Sequence, residues 1–165
     1  MLIKTWRFIT IILTALLMGM TFCHVLEMPA KMKYAASFYL TIHRSLYVAF
    51  GAPNIGAWIE IGAILAAIVL VFLLRGQRRA FRMTLISALC LIAGLAIYFV
   101  FIEPANAAMR AMMIDVPPDS FLGWRNQWEY GHAAHFILHL LGFSALVLSV
   151  LPAVDYSLPQ ARARP

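Results

Sequence analysis

At 165 residues the chain has the length of one domain, and 63% hydrophobic residues against 12% charged ones is too apolar for a water-soluble globule. The net charge of +6 has no basic domain behind it that could bind nucleic acid, and marks membrane edges beside anionic lipid instead. The composition implies an all-α membrane protein.

A helix crosses the hydrocarbon core with about 20 largely apolar residues. Four stretches meet that length, roughly Phe8–Glu27, Gly56–Arg75, Thr84–Glu103 and His132–Leu151. They predict a single four-helix antiparallel transmembrane bundle over 1–165.

The first stretch has the "KTWR" and "FITIILTALLMGM" of a signal peptide but no small-residue cleavage site, and reads as a retained helix. After it, "MPAKMKYAASFYLTIHRSLYVAFGAPN" is amphipathic and too charged to span, which predicts an interfacial helix over approximately 30–50, ended near Gly51–Pro53. The short "RGQRRAFR" loop forces spans two and three into a hairpin, and "MMIDVPPDSFLG" forms the outer loop before span four. Asp115 and Asp119 read as loop and helix-cap residues there. The tail "SLPQARARP" reads as mobile.

Four spans put both termini on one side. Lys4, Arg7, Arg75, Arg78, Arg79, Arg82, Arg162 and Arg164 fall on that side, and Lys31, Lys33, Arg44, Arg110 and Arg125 on the other. The excess places the termini in the cytoplasm, with the chain in the plasma or inner membrane. Trp58, Trp124 and Trp128 lie near the outer boundary and Trp6 near the inner one, as interfacial aromatics do, and Tyr98 and Tyr130 read as the same belt. Cys23 and Cys90 lie at different depths, too far apart for a disulfide, and Cys23 reads as a packing residue. His43, beside Arg44 in the interfacial helix, reads as a solvated imidazole.

Depth then becomes informative, at about 1.5 Å per residue. Glu27, Glu103 and His132 fall at the outer edge, His24 and His135 three residues in, Glu60 four residues in, and Glu129 one turn outside, a band roughly 6 Å deep. Along the last span, Glu129, His132, His135 and His139 follow one stripe. The order His24-x-x-Glu27 on an outward helix and Glu129-x-x-His132 on an inward one puts each Glu shallow and each His deep.

Glu60 and Glu103 add one carboxylate each. One Glu from each of two helices and a Glu/His pair from each of two others is the ligand inventory of a di-iron or di-manganese carboxylate bundle. The expected metal ligands are therefore His24, Glu27, Glu60, Glu103, Glu129 and His132, with His135 an extra ligand or a proton shuttle and His139 a catalytic group one turn deeper. Oxygen and imidazole donors suit Fe, Mn or Zn. The same groups could also satisfy one another as a metal-free polar network, and residues at span ends snorkel to the interface.

"FIEPANAAMRAM" and "WRNQWEYGHAAHFILHLLGFSALVL" carry a resemblance. With Pro104 and Asn106 after the third span and Trp128 entering the fourth, the chain resembles the family of small four-helix membrane proteins that includes the fungal anthrone oxygenases. The resemblance covers the four-helix layout. It implies oxidation of a polycyclic phenolic compound by O2 without a recognised cofactor. Where relatives commonly carry Asn and Arg after that Trp, this chain has His132 and His135.

These readings predict a membrane oxidoreductase or oxygenase with a non-haem metal centre, di-iron first, acting on a hydrophobic quinol- or phenol-like substrate that enters from lipid. The alternatives are haem b electron transfer through His24 with His135 or His139, a cofactor-free oxygenase using the same His residues as bases, and a non-enzymatic metal-binding accessory subunit of a larger membrane complex. A homo-oligomer fits as well. No nucleotide-binding motif is present, so a partner or the quinone pool would supply electrons.

Overall fold

The computed structural model describes residues 1–51 and 53–151, and these form six α-helices and one π-helical turn: α1 (Leu2–Lys31), α2 (Ala36–Ser45), α3 (Ile55–Leu73), α4 (Arg78–Ile97), the π turn (Tyr98–Ile102), α5 (Glu103–Ala111) and α6 (Phe121–Val150). Helices α1, α3 and α6, and the continuous run Arg78–Ala111, are long and apolar enough to cross a membrane. The protein is a four-helix membrane bundle.

The spanning helices form a closed ring in the order α1, α3, α4, α6, each packed on two neighbours. Phe8, Ile12, Leu16, Leu65, Phe72, Leu89, Ile137 and Leu148 stay exposed on the outside of that ring. In lipid this costs nothing, because hydrocarbon chains replace the missing neighbours. Leu17, Ala63, Ala67, Ala88 and Leu91 fill the middle of the bundle. Tyr39, Leu40, Ile102, Met109, Phe121 and Trp128 fill the outer end, and Leu70, Leu74, Ala80 and Leu146 the inner end.

Close backbone approach, rather than water exclusion, holds helices together in lipid, and it needs small residues. On α6 a Cβ at Gly142 would lie 3.2 Å from Cys90 Cβ and 3.3 Å from the Ser87 carbonyl oxygen. On α4 a Cβ at Gly94 would lie 2.7 Å from His139 Nε2. The buried hydroxyls of α1 return to their own helix: Thr10 donates to the Trp6 carbonyl and Thr14 to the Thr10 carbonyl, both at 2.7 Å.

The helices exceed the apolar spans at six of eight ends because helical backbone needs packing, not hydrocarbon, to continue. α1 runs through Pro29 to the buried Lys31. The expected interfacial helix over 30–50 is shorter, Ala36–Ser45, since α1 takes up its first residues and turns occupy its last. Asp119 does not cap α6, whose N-cap is Ser120 with no side-chain cap hydrogen bond. Cys23 is exposed on the lipid side rather than packed, and both cysteines are free. The expected mobile tail "SLPQARARP" lies outside the described residues.

Replacing Gly142 by Leu forces α4 and α6 apart, and overpacking of this kind costs about 1–3 kcal/mol. Thermal unfolding in mild detergent should show a lowered midpoint for Gly142→Leu and little change for Gly19→Leu, since nothing lies within 4 Å of a Cβ at Gly19.

Candidate metal centre and the cavity above it

His135 and His139 stand one turn apart on α6, so their rings project toward the same side of the bundle. Glu60 on α3 meets them. Its Oε1 lies 3.1 Å from His135 Nε2 and 3.9 Å from His139 Nε2, and one ligand atom from each of the three residues falls within 4.8 Å of the others. All three are buried, His139 completely.

Thr21 lies against the other nitrogen of the His139 ring. Its Oγ1 donates to a carbonyl of its own helix, Met18 at 3.1 Å being the nearer, and stands 3.4 Å from His139 Nδ1. The second ring nitrogen, Nε2, is turned toward Glu60. That Nε2 has no hydrogen-bond partner among the described residues. The space it occupies exists because residue 94 has no side chain.

Above this group, His24 of α1 and His132 of α6 stack with ring centroids 4.0 Å apart, and Trp128 packs its edge against both. Tyr47 and Phe50 complete the aromatic wall around His24. Trp128 is buried and is not a belt residue: its Nε1 donates to Asn106 Oδ1 at 2.7 Å. Because an indole N–H can only donate, this bond fixes which end of the Asn106 amide is oxygen. His43 Nε2, 3.0 Å from the same oxygen, must therefore carry a proton. His43 is thus buried and hydrogen-bonded, not solvated as its neighbourhood in the sequence suggests. Burial holds its pKa below the ordinary imidazole value, with the charges of Arg110, Arg44 and Lys31 acting the same way and the Asn106 bond opposing.

The carboxylates expected to converge do not share one centre. Glu129 is paired with Lys31 at 3.2 Å and accepts from Tyr39 at 2.8 Å. Glu27 lies 3.7 Å from Lys31 and accepts from Tyr47. Glu103 accepts from Arg110 at 2.6 Å, from Tyr98 at 3.0 Å and from Asn106 at 3.2 Å. Each has a cationic partner, and Glu60 alone faces imidazoles. The seven candidate ligands separate: Glu60 and His135 join His139 in one group, His24 and His132 stack, and Glu27, Glu103 and Glu129 are held by Lys31 and Arg110. Burial and the adjacent carboxylates push the phenols of Tyr39 and Tyr47 well above their ordinary range, so both remain hydrogen-bond donors.

Lys31 is 3% exposed, with Nζ 4.5 Å from the Trp128 ring and 5.0 Å from the Tyr47 ring. It links α1, α6 and the segment after α2. Beside these groups lies a partly open cavity of ≈ 810 Å³, lined by His24, His43, Tyr47, Glu60, Tyr98 and His132 among others. Tyr98 and Glu103 reach each other across five residues because the π turn, whose hydrogen bonds span five residues, puts them on one face.

Thr21, Lys31, Gly94 and Asn106 carry no site signal of their own in the sequence, and the sequence makes His139 a catalytic group or a haem ligand, not a ligand of the non-haem metal. The i, i+4 spacing of His135 and His139 was the available signal for the pair.

Removing one partner of a buried ion pair leaves an uncompensated charge and costs about 3–5 kcal/mol. Lys31→Met should lower unfolding stability by that order, and adding Glu129→Gln should restore part of the loss in a double-mutant cycle. His43 gives a pH dependence of definite sign. Its pKa is lower folded than unfolded, so its contribution is fully present above the unfolded value and is lost as pH falls through the folded one. Wild-type stability between pH 7.5 and 5 should fall more steeply than that of His43→Gln, by at most about 1.4 kcal/mol per pH unit.

No protein-family model, characterised protein or solved structure matches this chain, which leaves the chemistry of the site itself as the ground for function.

Proposed function

We propose that the protein is an integral membrane oxidoreductase of the oxygenase type, in which Glu60, His135 and His139 hold one non-haem metal ion, Fe(II) first and Mn or Zn as alternatives. The cavity above would take a hydrophobic phenol or quinol from the bilayer. The observation that carries this reading is the pairing of two imidazoles with one carboxylate, without a competing cation, at an aromatic cavity. Two His and one carboxylate with open positions suit non-haem iron that works with O2.

The donor set fits a metal on this chain's own terms. His139 points an unpartnered Nε2 at the group, and Thr21 lies against the other ring nitrogen, where outer partners of metal-bound imidazoles stand. His135 Nε2 hydrogen-bonds Glu60 and would exchange that proton for the metal. A bound ferrous ion would supply O2 activation. The dinuclear version is less favoured, because Glu27 and Glu129 share Lys31 and Glu103 is paired with Arg110. Haem b is less favoured too, since His139 is completely buried between Thr21 and Gly94 and leaves no slot for a porphyrin beside it.

The substrate side is aromatic. His24, Tyr47, Phe50, Trp128 and His132 offer ring faces and edges to a flat ligand. His24 and His132 have unpartnered Nδ1 atoms, and these rings would orient a phenolic hydroxyl. The resemblance to the anthrone-oxygenase-like family supports the same ligand class. The excess of Lys and Arg at the α3–α4 turn and the N-terminus supports cytoplasmic termini, which would put the cavity in the outer leaflet.

Metal content of detergent-purified protein tests the reading. The wild type should carry about one Fe, Mn or Zn per chain. Glu60→Gln and His139→Ala should lose it, and Glu103→Gln should keep it. Thr21→Val should weaken binding about 10–100-fold, and Gly94→Ala should weaken it by displacing His139. Metal retained in Glu60→Gln sinks this site. Two metals per chain that depend on Glu103 would restore the dinuclear version. Activity on a phenol that survives metal removal would favour cofactor-free base chemistry, and a Soret band would favour haem.

A further inference from the structure

The two ends of the bundle balance charge differently. Every ion pair among the described residues involves Glu27, Glu60, Glu103 or Glu129, all in the half that holds the cavity. At the opposite end Lys4, Arg7, Arg75, Arg78, Arg79 and Arg82 gather with no Asp or Glu beside them among the described residues.

Three of these arginines are organised. Arg7 of α1 and Arg78 and Arg79 at the start of α4 line a shallow, open cleft of ≈ 390 Å³, with the last residues of α6 along its other side. Arg7 Nη2 donates to Gln77 Oε1 at 3.2 Å, and Arg79 Nη1 donates to the Leu151 carbonyl at 3.3 Å. These neutral acceptors hold two guanidiniums in place without cancelling their charge. Arg7 Nε is buried with no partner. Gln77 makes no side-chain cap, so the first N–H groups of α4 remain uncapped at this end.

Guanidiniums in this arrangement match phosphate oxygens. Phe8 and Leu148, next in the chain to Arg7 and Ser149 of the cleft, are exposed apolar residues on the lipid side. We propose that this cleft binds the phosphate of an anionic phospholipid, with Arg78 and Arg79 on the head group and the acyl chains lying along α1 and α6. The lipid joins α1, α4 and α6 at the end of the bundle where no ion pair among the described residues does so. This site is independent of the metal centre. Phosphate on a lipid is favoured over free phosphate because exposed apolar side chains adjoin the cleft on two helices.

The full chain in mild detergent is titrated with phosphatidylglycerol and with phosphatidylcholine, following the thermal midpoint and the lipid retained in native mass spectrometry. Phosphatidylglycerol should raise the midpoint and be retained; phosphatidylcholine should do neither. Arg78→Gln/Arg79→Gln should weaken phosphatidylglycerol binding at least about tenfold. Arg75→Gln/Arg82→Gln, equal in charge but off the cleft lining, should leave it within about twofold. Equal losses in the two pairs would mean a diffuse surface potential and overturn the site. An equal midpoint rise with inorganic phosphate at matched concentration would overturn the lipid assignment. If the first pair does not fold, Arg7→Gln against Lys4→Gln makes the same comparison.

Discussion

The ion pair between Lys31 and Glu129 is the contact on which the candidate site depends. An ammonium and a carboxylate taken out of water are tolerable only if each finds the other, so the last turn of α1 has essentially one way to sit against the first half of α6. That choice propagates down the antiparallel pair. With Lys31 at Glu129, His24 comes level with His132 and Thr21 with His139. A slip of one turn would bury both charges unpaired and take the hydroxyl away from the imidazole it lies against. Trp128 and Tyr47, whose rings face the ammonium, are held in the same place and form part of the cavity wall.

A second constraint acts from the other side. α4 reaches α6 closely only because Gly94 and Gly142 carry no side chains, and the missing side chain at Gly94 is what leaves space for the His139 ring. The two constraints divide the labour. α1 sets the height of the imidazoles through charge, and α4 sets their lateral position through shape. Outer cations then remove Glu27, Glu103 and Glu129 from competition, so the bundle has many acidic residues and one carboxylate available to the imidazoles.

The four-helix bundle was legible in hydropathy, and the polar band was legible in depth, because both depend only on distance along a helix. Partner choice was not legible. Lys31 lies just beyond an apolar stretch and counts as a topological charge in the sequence, yet α1 continues past Pro29 and buries it. Trp128 matches a belt tryptophan in position, and only the Asn106 oxygen opposite its N–H turns it inward. The stripe Glu129, His132, His135, His139 is real but not straight. Over its ten residues an α-helix winds about 80° away from a straight line, so its upper members meet Lys31 and His24 of α1 while its lower members meet Glu60 of α3. A flat projection of that stripe merges two environments into one expected dinuclear centre.

The π turn at Tyr98–Ile102 has a consequence for how such a protein can vary. An extra residue in one helical turn rotates everything after it relative to everything before it, so α5 is set at its own angle while α4 keeps its glycine seam against α6. Glu103, Asn106 and Arg110 therefore stand at the cavity mouth by a rotation that the packed part of the helix does not feel. The mouth can be re-aimed by gain or loss of one residue without repacking the membrane core. The bundle thus separates the part that must stay constant to remain in the bilayer from the part free to change what is admitted.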